Sequence, residues 1–326
     1  EEEKDTVYQA ILNNLLGYNI LDTGTKDETE IDTAIAYFQR SLQDKEILFR
    51  KSAVDYRPMT NSKELSEKYC GDNMYQLLAR QAISRLSGYF IANPVSAEKI
   101  QNEILSIYDG LIDFYRQQGM TDARLLLMLD KLHYKGNDVS RGGVNEKLRL
   151  TDEQVITLLK QWAEEFADSP LCGEVYCQLA ERYDRMQDYT AKLKAAQTGL
   201  AKYPRSLSAN DLKEQIAEVL TPRLMVEIPF AYPGKDVDLK VKYRNLAGLT
   251  VELYRMNLPV TSPVLEREIN ASTLSQYGKL VSSRHYDLAA TPDYKETDTL
   301  LRYKFPVEGI YVVKSIPDGH RKYTAY

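Results

Sequence analysis

The hydrophobic period of the chain changes between residues 221 and 255, and this change limits the folds that the sequence can adopt. Before this stretch, apolar residues recur every three or four positions, which is the period of an amphipathic helix. After Pro233-Gly234, every second residue is apolar: Val237, Leu239, Val241 and Tyr243. A period of two places one set of side chains in a core and the other in water, as in a half-buried strand. The sequence therefore predicts stacked helices followed by antiparallel sheet.

Length and charge narrow the class of protein. A chain of 326 residues with 43% hydrophobic and 27% charged residues suits two globular domains. The net charge of −5, without a run of more than two basic residues, argues against a nucleic-acid partner. No apolar stretch approaches the roughly 20 residues that span a bilayer, so we expect no membrane-spanning segment. The chain begins EEEKDTV and ends within a predicted strand, so we expect a fragment of a longer protein.

Periodicity divides residues 1–220 into predicted helices. They cover 1–16, 27–56, 63–92 with a break near Cys70-Gly71, 96–118, 121–133, 151–166 and 206–220. The first carries an apolar stripe of Tyr8, Ile11, Leu12 and Leu15, and the polar stretches GYNILDTGTKDETE and 135–147 are predicted loops.

Two of these helices have a predicted cap and a predicted buried face. We expect Ser96 to cap a helix that Gly119 ends, with the face Ile100, Ile104, Ile107, Leu111 and Phe114. We expect Thr151 and Gln154 to form a capping box before a second face: Val155, Leu158, Leu159, Trp162 and Phe166. Because Trp162 lies on that face, we expect it to be buried.

Residues 173–206 fit a helix–turn–helix unit of 34 residues. The residues that match the large, small and proline positions of such a repeat are Tyr176, Leu179, Ala180, Tyr183, Gly199 and Pro204. This pattern resembles a tetratricopeptide repeat, although Lys192 and Ala196 depart from it and Lys192 puts the close helix crossing in doubt. A generic αα-hairpin is the alternative. The resemblance implies an irregular helical solenoid, whose units bury their faces only against neighbours.

The remaining residues predict a β-sandwich of six or seven short strands. Two strands meet at Asn245–Gly248, and further strands are predicted at 265–274, 279–288, 299–306 and 309–326. The segments MNLPVTSP and ATPDYKETD are predicted loops, and Pro317-Asp318-Gly319 is a predicted turn. The predicted fold class is therefore multidomain α and β: an all-α, tetratricopeptide-like domain at 1–220 and an antiparallel β-sandwich domain at 221–326.

Motifs for chemistry are weak. The histidines (His133, His285 and His320) lie on different predicted elements, and Cys172 and Cys177 are spaced neither as a redox nor as a zinc pair. The carboxylates Glu164-Glu165 and Asp293–Asp298 are interpreted as solvent-facing charge. Asn270-Ala-Ser272 matches a glycosylation acceptor, a three-residue match that arises by chance. We therefore expect that the protein is not an enzyme and that it has no catalytic, cofactor-binding or metal-binding residue. We expect Cys172 and Cys177 to be buried and His320 to be exposed to solvent.

The entry to the predicted sandwich resembles the start of large α-macroglobulin-like proteins of Bacteroidetes-type bacteria. The runs that carry the resemblance are Pro233-Gly234, Tyr243-Arg244-Asn245-Leu246, Leu253-Tyr254-Arg255 and Gly309–Val313. The resemblance implies the scaffold part of a protease-trapping protein, whose partners are further domains of its own chain, target proteases or envelope proteins. It also implies a periplasmic or cell-surface location, with a lipid anchor upstream as one arrangement. Cys172-Gly173-Glu174-Val175 lacks the glutamine of the family's thioester run.

Two alternatives remain open. The helical surface could grip a peptide or an envelope protein, which predicts an exposed aromatic or apolar groove on the helices. It could instead bind glycans through tyrosines and Trp162, which predicts solvent-facing aromatic platforms.

Overall fold

The computed structural model describes residues 2–23, 27–56, 59, 67–88, 94–137, 150–229, 231–266 and 269–326. Helices come first and two small antiparallel sheets follow, so the predicted class of mixed α and β structure and the order of its elements are confirmed. The chain divides into two compact units, Glu1–Arg182 with Gly199–Ala209, and Tyr183–Thr198 with Asn210–Tyr326. The predicted domains at 1–220 and 221–326, the repeat solenoid and the sandwich stay predictions.

The first unit begins with helices that share one core. They are α1 (Glu2–Thr23), α2 (Glu28–Ser41), α3 (Lys45–Phe49), α4 (Glu67–Cys70), α5 (Met74–Gly88), α6 (Pro94–Gln117) and α7 (Thr121–Asn137). Helix α1 packs against α2, α3 and α5, while α6 packs against α2, α5 and α7. The rings of Phe38, Tyr75 and Tyr115 are fully buried in this core.

Of the stripe predicted for the first helix, only Ile11 is buried, and the other three residues are exposed. Tyr8 and Leu12 are 45% and 56% exposed, and α1 continues seven residues beyond the predicted end at residue 16, to Thr23. Its buried face includes the polar Asn14, whose Nδ2 donates to Leu78 O at 3.1 Å and to Ser41 Oγ at 3.2 Å. Because a buried amide with partners takes a core position, counting apolar residues placed the stripe on the wrong side.

Several helix boundaries also differ from the prediction. The helix expected over 27–56 is interrupted, with α2 ending at Ser41, a separate α3, and a 3₁₀ turn at Ala53–Tyr56. Ser96 is not a cap: it lies inside the first turn of α6, which begins at Pro94, a residue suited to that position. The predicted loop 135–147 is helical as far as Asn137, and the rest lies outside the described residues.

Other helix predictions are confirmed. The break near Cys70-Gly71 separates α4 from α5, and Gly71 has φ +75°. The two ends of that predicted helix, near 63–66 and 89–92, lie outside the described residues. Gly119 follows the end of α6 with φ +70°. The predicted face of α6 is buried: Ile100, Ile104, Ile107, Leu111 and Phe114.

Four more helices follow: α8 (Asp152–Glu165), α9 (Cys172–Arg185), α10 (Tyr189–Lys202) and α11 (Ala209–Leu220). The capping box of Thr151 and Gln154 is confirmed on α8. Its face is buried at Val155, Leu159 and Phe166, whereas Leu158 and Trp162 are half-buried, so full burial of Trp162 is wrong. Helix α11 begins three residues later than predicted. Gln187, with φ +56°, makes the short turn between α9 and α10.

The described residues of the second unit form six strands in two sheets. The strands are β1 (Arg223–Glu227), β2 (Asp236–Arg244), β3 (Gly248–Met256), β4 (Gly278–Asp287), β5 (Thr297–Lys304) and β6 (Tyr311–Pro317). The sheet orders are β1-β2-β5 and β4-β3-β6, and every pairing is antiparallel. Residues of both sheets bury their side chains in one core, which includes the fully buried Val241 and Leu253. The predicted period-two face of β2 is confirmed.

Strands β2 and β3 meet at Asn245–Gly248 as predicted, but each belongs to a different sheet. The strand predicted over 265–274 is wrong. Its described residues contain a 3₁₀ turn at Pro263–Glu266 and a short helix, α12 (Ala271–Tyr277), whose first N–H groups are capped by Asn270. The predicted turn at Pro317-Asp318-Gly319 ends β6. Within the described ranges, no helix is both long and apolar enough to cross a membrane.

Candidate functional site

A cavity of about 270 Å³ lies between α6, α7 and α8 in the first unit. Its lining combines an apolar floor with a charged rim: Asp109, Ile112, Arg124, Met128, Lys131, Leu132, Leu150, Leu158 and Trp162. Trp162 is the single tryptophan of the chain and is half-buried. An indole ring with one face in a cavity and a polar N–H can pack against a ligand and orient it.

Ion pairs hold the rim of this Trp162 cavity in place. Lys131 Nζ pairs with the carboxylate of Asp109, and Arg124 Nη2 lies 2.6 Å from Glu165 Oε1. The guanidinium of Arg124 stands 5.0 Å from the centre of the Phe166 ring. Its Nε is buried and makes no hydrogen bond within the described residues. The cavity therefore offers an aromatic surface, a fixed cation and a carboxylate, which suits binding of a polar ligand with an apolar face.

The sheet-bearing unit contains a second cluster, at the end of α11. Arg244 Nη2 donates to Glu218 O at 2.7 Å, and Asn245 Nδ2 donates to Val219 O at 2.7 Å. The last four carbonyls of a helix have no partner within the helix, so these bonds satisfy two of them. Tyr243 and Leu246, on either side, are buried in the sheet core. The run Tyr243–Leu246 therefore ties the end of α11 to the strands.

Lys192 occupies a buried site in the same unit. Its side chain is 3% exposed, and its Nζ lies 2.7 Å from both Asp184 Oδ1 and Glu218 Oε2. Burial disfavours the ammonium, but the hydrogen bonds that Lys192 Nζ donates to these two carboxylates outweigh this effect and raise the pKa of Lys192. The lysine that departs from the repeat pattern is therefore a charged group held between two acids.

Two adjoining cavities lie at one end of the sheets and share Gly309. The first has a volume of about 580 Å³ and is lined by Ile228, Ala231, Pro233, Phe305, Val307, Glu308, Gly309, Tyr311 and Val313. The second, of about 770 Å³, contains Arg255 and Lys279 beside the amides of Asn257 and Gln276. We call the second one the basic basin.

The histidines and carboxylates considered in the sequence analysis do not come together in one site within the described residues. His285 Nε2 lies 2.8 Å from Asp318 Oδ2, and this hydrogen bond raises the pKa of His285. His320 contacts the ring of Tyr323. In the part of the chain that the structure describes, no three His, Cys, Asp or Glu side chains are placed to hold a metal ion.

The cysteines lie in cores. Cys70, Cys172 and Cys177 are buried free thiols, and burial raises the pKa of Cys172. Glu174, of the thioester-like run, accepts hydrogen bonds from Ser208, with a distance of 2.9 Å from Ser208 N. Asn270 uses its side chain as a helix cap, accepting from Ser272 N and Thr273 N.

Comparison with protein families, curated proteins and solved structures finds no match to this chain. Sequence reasoning singled out Trp162 and Arg244-Asn245, but missed the pairing of Arg255 with Lys279. That pairing depends on strand register, which one-dimensional patterns do not give.

Proposed function

We propose that this chain is a non-enzymatic scaffold and interaction region of a large cell-envelope α-macroglobulin-like protein. In this proposal the helices form a tetratricopeptide-like solenoid at 1–220, and the strands form a β-sandwich domain at 221–326. The intact protein would lie in the periplasm or at the cell surface, with a lipid anchor upstream as one arrangement. Its partners would be its own further domains, target proteases or envelope proteins.

One observation carries this proposal. The run Tyr243-Arg244-Asn245-Leu246, which carries much of the resemblance to α-macroglobulin-like proteins, is also the run that joins α11 to both sheets. Two of its side chains are in the core, and two bond to carbonyls at the end of α11. A run with four structural roles at the corner between two sheets supports a resemblance in fold, because chance matches rarely occupy such positions together.

The intact protein tests this proposal. If it is a protease trap, incubation with trypsin should slow the cleavage of casein, a large substrate, much more than the cleavage of a small chromogenic peptide. Entrapment blocks access for large molecules and leaves the protease active site free. Equal rates for both substrates, with and without the protein, would contradict trapping, as would a gene whose coding region lacks further sheet domains after Tyr326.

A binding module is the second candidate, and the Trp162 cavity favours it. A half-buried indole beside Arg124 and the Lys131–Asp109 pair suits stacking on a sugar ring or contact with a peptide. Because Trp162 is the only tryptophan, its fluorescence reports directly on this cavity. Titration with a panel of polysaccharides and peptides should shift the emission for one class, and Arg124→Gln should weaken that response. No shift across the panel would remove this candidate.

A further inference from the structure

Two cations lie directly opposite each other on neighbouring strands of the second sheet. Arg255 on β3 is the register partner of Lys279 on β4. Like charges at such a position repel each other and destabilise a sheet. Neither side chain forms an ion pair within the described residues, whereas four other cations of these sheets do: Arg223, Lys240, Arg302 and Lys314. The pair therefore concentrates positive charge at one end of the sheet.

The guanidinium of Arg255 is held in position by the backbone of the segment before β6. Its Nη2 donates to Glu308 O at 3.1 Å. A Cβ atom on Gly309 would stand 3.0 Å from Arg255 Nε, and Gly309 has φ +157°, so this position favours glycine on both counts. One hydrogen bond fixes the planar group, and its remaining donors stay available for a ligand.

The rest of the basic basin matches a ligand that is partly charged and partly apolar. Asn257 and Gln276 contribute amide groups beside the two cations. The lining also includes the apolar residues Leu258, Ile310 and Val260, of which Val260 is 83% exposed. Carboxylates are the natural partners of a fixed guanidinium, and an apolar neighbour would remove Val260 from water.

We propose that the basic basin binds an acidic segment of a partner protein, in which a carboxylate contacts Arg255 and Lys279 and an adjacent apolar side chain packs on Leu258 and Val260. Charge complementarity selects this occupant, because two cations in an otherwise acidic chain attract a carboxylate and repel a basic segment. The inference deepens the proposed interaction role and rests on it.

The test uses the whole 326-residue chain and a labelled peptide that alternates Asp with Leu, followed by fluorescence anisotropy. Arg255→Gln and Lys279→Gln should each weaken binding by about tenfold, the usual effect of losing one charge-assisted hydrogen bond. Lys295→Gln, an exposed lysine in the loop before β5, is the matched control and should bind like the parent chain. A peptide with Asn in place of Asp should not bind.

Thermal unfolding of each variant controls for folding. Lys279→Gln should not lower the Tm, because it removes a like-charge contact. Equal binding by parent and variants, equal binding of the Asn peptide, or full competition by equimolar inorganic phosphate would overturn the proposal. A response confined to Trp162 fluorescence would overturn it as well. If the intact protein traps protease but the parent chain does not bind the peptide, only the proposal for the basic basin is overturned. If the chain binds the peptide but the intact protein does not trap protease, only the proposed macroglobulin function is overturned.

Discussion

Lys192 is the clearest case in which a single residue departs from its expected role. Its ammonium is buried, but the two carboxylates that hold it, Asp184 and Glu218, are 43% and 53% exposed. Removing the lysine therefore leaves acids that water can still reach, which limits the cost. We expect Lys192→Met to lower the free energy of unfolding by about 1–2 kcal/mol, less than the 3–5 kcal/mol typical when a fully buried charge is left alone.

Urea denaturation measures this change. Lys192→Ala should cost about 1 kcal/mol more than Lys192→Met, because it also removes the packed stem. Lys194→Met, two residues along on the exposed side of α10, is the matched control and should stay within about 0.5 kcal/mol of the parent. A Lys192→Met protein as stable as the parent would show that the ion pairs only offset the cost of burial.

His285 gives a pH-dependent prediction. The hydrogen bond that the His285 ring donates to Asp318 raises the pKa of His285 above its ordinary value of 6.5, so the protonated form is favoured in the folded chain. The resulting stabilisation is fully present below pH 6.5 and is lost as the pH rises through the raised value. NMR titration of His285 should show a lower pKa in Asp318→Asn. Asp287→Asn, whose carboxylate is 4.0 Å from Nδ1, should have the smaller effect. The reverse order would contradict this assignment.

At the scale of elements, the spacing of apolar residues and the capping residues predicted most helices, and the alternation of apolar and polar residues predicted β2. The failures have local causes. Residues 265–274 alternate well enough for a strand, yet the side chain of Asn270 accepts hydrogen bonds from Ser272 N and Thr273 N and starts α12. A capping residue before small helix-compatible residues was the signal that alternation concealed. In α1, the buried Asn14 hid the true face. Pattern counting treats polar residues as exposed, and it fails where a polar side chain finds partners inside.

Asn245 connects one element to the next, and two of its properties can be separated. It has φ +55°, and its side chain donates to Val219 O at the end of α11. Asn245→Gly loses only the hydrogen bond, at a cost of about 1 kcal/mol. Asn245→Ala loses this hydrogen bond as well, and it keeps a Cβ at φ +55° without the tolerance of Asn for the left-handed region, for a total of about 2 kcal/mol. Urea denaturation of both variants measures the difference. Equal stability of the two would show that backbone strain contributes nothing here.

For the whole molecule, the sequence predicted the order of helix and sheet but could not predict which residues associate. Alternation along β2 and β3 gives no sign that the two strands belong to different sheets. The sheet to which each strand belongs depends on the strands that pair with it, and β4, β5 and β6 lie far along the chain. The same limit hides the basic basin, whose two cations are 24 residues apart in sequence and opposite in register. The unit that holds the sheets also includes residues 183–198, a helical stretch that periodicity assigns to the preceding repeat.

The composition of this unit predicts how fragments of the chain behave. A fragment of residues 221–326 lacks Glu218 and Val219, so Arg244 and Asn245 lose the helix carbonyls that they bond. A fragment of residues 183–326 keeps these bonds and the Lys192 ion pairs. One charged and one neutral hydrogen bond contribute roughly 2–4 kcal/mol together, so the shorter fragment should unfold at clearly lower urea concentration. Equal midpoints would place the true domain boundary at residue 221, as periodicity alone predicts, because the helical segments would then add nothing to the stability of the sheets.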